Sequence, residues 1–450
     1  MSGSYCVVGG GISGLVAAYR LRVAVGSGAS ITVFDPGDRL GGILRTETLC
    51  GQPIDVGAEA FVARRPEVPA LLEELGLAGR QVGTTGVRPT IFRRGRLHPI
   101  PSETVNGIPT SAESMAGLVD DATLARIASE PDRPMRWVPG SDPAVGAVVA
   151  DRFGEQVVES SVDPMLAGVY AGSADSIGIR SAVPTVAAQL DAGAGSLTAA
   201  TRQALPPSTG APIFGAIDGG YRVLLDELVR RSGLRWVQAA IALIERDGAG
   251  WVLRDDSGAH WHADGVIVAV PAPQVARLIG DIAPRTAAAA AQVSVASAVV
   301  LALGVPSATP FPAQSGVLVA TGESLHAKAI TLSSRKWGAR GDVELLRMSF
   351  GRIGDQVART VPDDELTTWA RSDLARVFGL DIDPLAVLVR RWIDAMPQYG
   401  PGHRELAAEM LAGLPPSMAI AGNYIDGVGV PACVAAAGRA AAAVVAATTG

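Results

Sequence analysis

The sequence predicts an α/β fold in three parts: a discontinuous Rossmann-like dinucleotide-binding domain, an antiparallel-sheet domain and a helical insertion. Three observations carry this. Residues 4–35 read strand, glycine turn, helix, strand, acid. Alternating apolar runs between residues 290 and 400 read as an antiparallel sheet. A second strand, glycine turn and helix at residues 418–431 returns the chain to the nucleotide fold.

In the first stretch, the apolar run Tyr5 to Val8 meets Gly9-Gly10-Gly11-Ile12-Ser13-Gly14. Gly9 permits a tight turn, Gly11 lets the backbone approach a pyrophosphate, and Gly14 lets the helix lie close on the strand. The helix N-terminus offers free N–H groups and partial positive charge to the phosphates. Asp35, twenty-one residues after Gly14, is placed to bond ribose hydroxyls.

The 450 residues are enough for two or three compact units, and 48% hydrophobic with 18% charged residues fits a globular protein. A net charge of −6 gives no expectation of nucleic-acid binding. Only two of the 38 basic residues are lysines, Lys328 and Lys336, which reads as compositional bias. Cys6, Cys50 and Cys433 are scattered with no CxxC or Cys/His cluster, so no zinc site is expected. The first strand begins near Met1, leaving no room for a signal peptide; the expected location is the cytoplasm. No transmembrane segment is expected: the Ala-rich tail after Val430 comes closest, and Arg439 interrupts it.

After the acid, Asp38-Arg39-Leu40-Gly41-Gly42-Ile43-Leu44-Arg45-Thr46 forms a second glycine turn, which a plain nicotinamide domain does not require. This DRxGGxxRT pattern resembles the two-dinucleotide-binding flavoproteins. So does Ile54 to Phe61, a strand and turn that passes the flavin ring in those proteins. FAD is therefore expected rather than NAD. The adjacent Arg64 and Arg65 read either as solvated surface or as a carboxylate site for an acidic substrate. They open a helix over Val68 to Leu77, and a hairpin follows over Arg88 to Leu97.

Residues 100–205 are proline-interrupted and largely helical, with stretches at Ala112–Ile127 and Pro143–Phe153. Pro206-Pro207-Ser208-Thr209-Gly210 ends the insertion as a loop. A helix over Leu224 to Arg231 precedes strands at Arg235–Glu245, Gly250–Arg254 and Asp264–Val270, the last stopped by Pro271. The sheet runs are Ala298–Leu303, Gly316–Val319, Ala329–Leu332, Leu345–Phe350 and Val387–Trp392. The final helix holds Pro431 in its first turn, and its N-terminus suits flavin oxygens that gain charge on reduction. The expected division is 1–63, 206–288 and 412–450 for the nucleotide domain, 64–99 and 289–411 for the sheet domain, and 100–205 for the insertion.

As a set, the motifs resemble the protoporphyrinogen/coproporphyrinogen oxidase branch of the FAD-dependent amine-oxidase superfamily, from Tyr5 to about Ala440. The glycine motifs and Gly422 to Pro431 are shared widely among FAD oxidases. More diagnostic are Pro164 to Gly172, Ser334-Arg335-Lys336-Trp337, and Met396-Pro397-Gln398-Tyr399 with Gly402-His403. The soluble Gram-positive coproporphyrinogen III oxidases are the most similar branch.

The resemblance implies non-covalent FAD held by Gly9 to Gly14, Asp35, Gly41, Gly42, Gly57, Ala58, Glu59, Ala60, Ile241, Asn423, Val428, Gly429 and Val430. Asp35 stands where many members have Glu, a shorter reach. It also implies substrate contacts at Arg64, Arg65, Gly168, Val169 and Tyr399, with Ser349 where some relatives carry an aromatic residue. The implied reaction is six-electron oxidation of coproporphyrinogen III by molecular oxygen, with hydrogen peroxide released. No acid or base is assigned, because the flavin takes the hydride. Hand-off of product to a coproporphyrin ferrochelatase is implied as well. Other readings are a protoporphyrinogen oxidase, a flavin amine oxidase or desaturase, and a noncatalytic flavoprotein that hands porphyrin on.

Overall fold

A computed structural model describes residues 3–207 and 210–449. Its nucleotide-type sheet is parallel and five-stranded, in the order Arg235–Val237, Ser30–Phe34, Ser4–Val8, Gly265–Val268, Met418–Ile420. Three separate stretches of chain supply those strands, as the motif order predicts. Val7 lies opposite Val33 on one side and Ile267 on the other. The strands Ser4–Val8, Gly265–Val268 and Met418–Ile420 are mostly buried, which explains their continuous apolar runs, whereas the edge strand Arg235–Val237 is largely exposed.

The helix Ile12–Val25 packs against both Arg222–Ser232 and the C-terminal helix Val430–Thr449. Ala17 and Ala18 on one helix and Ala437 and Ala441 on the other are buried in the same core. Small side chains there allow close approach of the backbones. The last helix is long and apolar enough to cross a membrane by length and composition, yet more than half of its apolar window is buried against the protein. Ala432, Ala436, Ala437, Ala440 and Ala441 are core residues, whereas Ala442, Ala443, Ala446 and Ala447 near the C-terminal end are exposed.

The second sheet has seven strands, in the order Ala386–Pro397, Val295–Pro306, Val343–Phe350, Ala329–Leu332, Gly316–Val319, Thr90–Arg93, Arg96–Pro99. It is not purely antiparallel: Gly316–Val319 runs parallel to Thr90–Arg93, because the latter comes from the distant hairpin at residues 90–99. One face, with Leu301, Ile330, Leu346 and Met348, forms a core with the helix Asp363–Phe378. Arg347 and Ser349 alternate with those residues and belong to the opposite face.

Residues 104–204 are mainly helical. Glu130, fully buried, accepts from Arg152 Nε at 2.6 Å, from Leu197 N–H at 2.8 Å and from Thr198 Oγ1 at 2.6 Å. One carboxylate thus ties three helical pieces and satisfies orphan donors at the start of helix Leu197–Ala204.

Three predicted elements differ. Ala112–Ile127 is not one helix: Gly117 at φ +79° breaks it into a turn at Glu113–Met115 and a helix Asp121–Ala128 capped by Asp120. Arg235–Glu245 is two strands in different sheets, Arg235–Val237 and Ile241–Asp247, the second pairing with Gly250–Asp255. Helix Val68–Leu77 occupies Glu67–Glu74. Ser208 and Thr209 of the predicted loop lie outside the described residues.

Candidate active site

The glycine loop behaves as its spacing predicts. Gly9 has φ +106°, and a Cβ there would sit 2.4 Å from the Ala269 carbonyl oxygen. A Cβ on Gly14 would lie 1.9 Å from the Gly9 carbonyl oxygen, so the helix can lie this close only without a side chain. At Gly11 the same test meets nothing within 4 Å. Gly11 therefore leaves open space at a helix N-terminus, where free N–H groups favour an anion.

The second glycine turn docks on the first. Gly41 N–H donates to the Gly10 carbonyl at 2.7 Å, and a Cβ on Gly42 would reach 3.1 Å from Gly11 Cα. Arg39 is a latch: its guanidinium donates to the carbonyls of Leu40, Leu44 and Gly42 at 3.0, 2.9 and 2.5 Å. Asp35 accepts from Gly10 N–H at 2.7 Å and Gly37 N–H at 2.9 Å. Those bonds fix the carboxylate and leave acceptor capacity on each oxygen for a further donor.

The turn Gly57 to Ala60 is held from the far sheet. Gly57 has no room for a side chain, since a Cβ would lie 1.7 Å from the Ile43 carbonyl oxygen. Arg347 Nη2 donates to the Gly57 carbonyl at 2.6 Å, and Trp392 Nε1 donates to the Val56 carbonyl at 2.8 Å. Glu59 is tied to Lys336 Nζ at 2.9 Å, Ser333 Oγ at 2.7 Å and Arg347 Nη1 at 3.5 Å. Burial opposes its charge, but the two cations win and bring its carboxyl down to about 2. Asp55, just before the turn, is buried and pushed up to about 6 despite bonds from Thr46 Oγ1 at 2.5 Å and Tyr221 N–H at 3.1 Å.

At the C-terminal motif the Asn423 carbonyl accepts from Tyr399 Oη at 2.6 Å, and Asn423 Nδ2 donates to the Ala395 carbonyl at 3.2 Å. Val430 begins the last helix, with Val428 and Gly429 just ahead and Val428 packed beside the helical core. Ser13 bonds Cys433, so the starts of the two helices lie side by side. Ile241 is buried in the core that holds Cys6, Val8 and Phe34.

The residues named for substrate fall into different settings. Gly168 and Val169 are exposed at the end of helix Asp163–Tyr170, Val169 at 49% despite its apolar side chain. Tyr399 is 3% exposed, with its hydroxyl spent on Asn423 and its ring 3.9 Å from that of His403. Arg64 and Arg65 are both exposed; Arg65 pairs with Glu67, whereas Arg64 makes no ion pair among the described residues.

Arg39, Glu59's ion pairs, Arg347 and Trp392 are contributions that sequence reasoning missed. The Ser334 to Trp337 motif marks one end of this network, but its partners near Gly57 are too distant in sequence to infer.

Two glycine turns, a fixed acid and adjacent helix N-termini define a flavin-binding oxidoreductase site, and residues 12–445 match the flavin containing amine oxidoreductase family, to which this chain belongs. Within it, the chain falls in the porphyrinogen oxidase branch. It is 66% identical over 442 residues to the coproporphyrinogen III oxidase of Mycobacterium tuberculosis, covering 98% of this chain and 97% of that one. The Bacillus subtilis coproporphyrinogen III oxidase is 27% identical, with 95% of both chains covered. Among solved structures, a putative protoporphyrinogen oxidase from Exiguobacterium superimposes with a TM-score of 0.88 at 28% identity, covering 98% of each chain. Putrescine oxidase, at TM-score 0.72 and 18% identity over 99% of each chain, shares the fold.

Proposed function

We propose that this protein is an FAD-dependent coproporphyrinogen III oxidase. The observation that carries the reading is the 66% identity to coproporphyrinogen III oxidases across 98% of the chain. The overall change is coproporphyrinogen III plus three oxygen molecules giving coproporphyrin III plus three of hydrogen peroxide, six electrons in all. Bound FAD would supply the hydride acceptor and pass the electrons to oxygen.

The chain's own residues bind, orient and exclude water. Gly9 to Gly14 and Asp35 hold the pyrophosphate and ribose, with Gly41 and Gly42 closing the far side and Ile241 beneath the adenine. Gly57 to Ala60, Asn423 and Val428 to Val430 face the flavin ring. The N-terminus at Val430 stabilises negative charge that develops there on reduction. Cys433 is buried and its thiol is pushed up to about 11, which supports non-covalent binding over a thioether link.

Arg64 and Arg65 bind substrate carboxylates, Arg64 with its charge free and Arg65 sharing its charge with Glu67. Gly168 and Val169 form one wall of the macrocycle cavity, and Tyr399 positions Asn423 from behind. The nucleotide domain comprises residues 1–63, 206–288 and 412–450, the substrate domain 64–99 and 289–411, and the helical domain 100–205. The enzyme works in the cytoplasm and passes coproporphyrin to a ferrochelatase.

Anaerobic addition of coproporphyrinogen III to the yellow holoprotein tests this. Bleaching of the flavin, then oxygen uptake of three molecules per porphyrin formed, is expected. An unbleached flavin overturns the reading. The likeness to the Exiguobacterium protein supports protoporphyrinogen IX as the competing substrate.

A further inference from the structure

We propose that Lys328 is a positioning residue: as an ammonium it pins residues 351–355 so that they hold the substrate wall at Gly168 and Val169. The inference rests on the proposed role of that wall. Lys328 is one of two lysines in the chain, and its side chain is buried although it forms no ion pair among the described residues. Its Nζ donates to the Gly351 carbonyl at 2.6 Å. Its backbone N–H donates to the Ser349 carbonyl at 2.8 Å, which anchors the residue on the strand Val343–Phe350 that leads into that segment.

That segment reaches the wall at two points. Ile353 N–H donates to the Ala171 carbonyl at 2.7 Å, where helix Asp163–Tyr170 ends on a left-handed Ala171 at φ +50°. Arg352 Nη1 lies 3.9 Å from Asp163 Oδ2 at the start of the same helix. Asp163 is itself committed to Ala174 N–H at 2.6 Å and to Thr321. The helix that carries Gly168 and Val169 is thus clamped at both ends by residues that Lys328 holds in place.

The charged groups facing Lys328 are Arg352, which opposes its charge, and Asp355, which favours it. Nearby, Asp373 on the covering helix is occupied by the N–H groups of His326 and Ala327 and by the His326 ring. Burial dominates and brings the amine down to about 7. A charged donor makes the stronger bond, so the pin is tight below that pH and slack above it.

The test uses wild-type holoprotein, Lys328→Arg and Lys328→Met, with two readouts from pH 6 to 8.5. One is the hydrogen-exchange protection of the Ile353 amide without substrate. The other is KM against kcat for coproporphyrinogen III. Wild type is expected to lose Ile353 protection and to raise KM about fivefold between pH 6 and 8, with kcat within about twofold. Lys328→Arg keeps the pH 6 values at pH 8, since its guanidinium stays charged. Lys328→Met shows the slack values at every pH. Wild-type values in Lys328→Met at pH 6, or an unchanged pH dependence in Lys328→Arg, overturn the proposal. If Lys328→Met does not fold, the arginine variant and wild type still decide. Wild type that turns over no porphyrinogen refutes the functional reading, while the exchange profile still decides the pin.

Discussion

Arg347 donates its guanidinium to the Gly57 carbonyl at 2.6 Å, joining residues 290 positions apart in the sequence. Through this bond the large sheet supports the turn assigned to the flavin ring. Arg347→Met removes that bond and leaves Glu59 buried with Lys336 as its one remaining cation among the described residues. Breaking a buried charge cluster costs about 3 kcal/mol or more. We expect a lower melting temperature and at least about tenfold weaker FAD binding, measured by flavin fluorescence titration of the apoprotein. Arg347→Lys keeps the charge but loses the fork, and falls between. Wild-type FAD affinity in Arg347→Met contradicts this role.

Gly11 and Gly14 separate binding from folding. In Gly11→Ala the new methyl enters open space, so apoprotein stability changes by less than about 0.5 kcal/mol while FAD affinity falls. In Gly14→Ala the methyl strikes the Gly9 carbonyl, so stability and affinity fall together. Denaturant unfolding of both apoproteins, beside FAD titration, checks the pair. Equal destabilisation by the two variants counts against this separation.

Glu59 and Asp55 act on stability with opposite sign. The Glu59 carboxyl is lowered to about 2 from the model-peptide value of 4.5, so it stabilises the fold above that range and its contribution is lost as pH falls from 4.5 toward 2. Asp55 is raised from 3.8 to about 6, so its ionisation costs stability as pH rises through that interval. Glu59→Gln should flatten the acid limb of the apoprotein stability curve. Asp55→Asn should flatten the fall between about pH 4 and 6. Urea midpoints across pH 3 to 7 measure both, and an unaltered curve in either variant refutes its assignment.

Arg65 is paired with Glu67, and under the proposed carboxylate role Glu67 would compete with substrate for it. Arg64→Ala is expected to raise KM for coproporphyrinogen III about tenfold with kcat nearly unchanged, because uniform binding is lost. Glu67→Gln frees Arg65 and lowers KM by about threefold. An increase in KM in Glu67→Gln shows instead that the pair holds the start of helix Glu67–Glu74.

The local parts of the fold were legible in the sequence: glycine spacing, apolar strands and Pro431 at a helix start depend on neighbours a few residues away. So was the three-part supply of the parallel sheet, because the first and last parts carry glycine turns and the middle part returns to helix and strand. The Gly57 support was not, because Arg347, Lys336 and Trp392 read as ordinary sheet and loop residues until the fold sets them against Glu59 and Val56. Apolar periodicity also concealed two breaks, at Gly117 and between Val237 and Ile241, where turn geometry overrides pattern. The parallel pair with residues 90–93 depends on a hairpin more than two hundred residues from its partner strand, a pairing no local signal records.

The most direct test of the account is a competition in air between coproporphyrinogen III and protoporphyrinogen IX on the FAD-loaded protein, followed by porphyrin fluorescence with peroxide measured in parallel. A kcat/KM for coproporphyrinogen III at least about tenfold higher is expected, with the preference reduced in Arg64→Ala. Preference for protoporphyrinogen IX, or equal use of both, contradicts it.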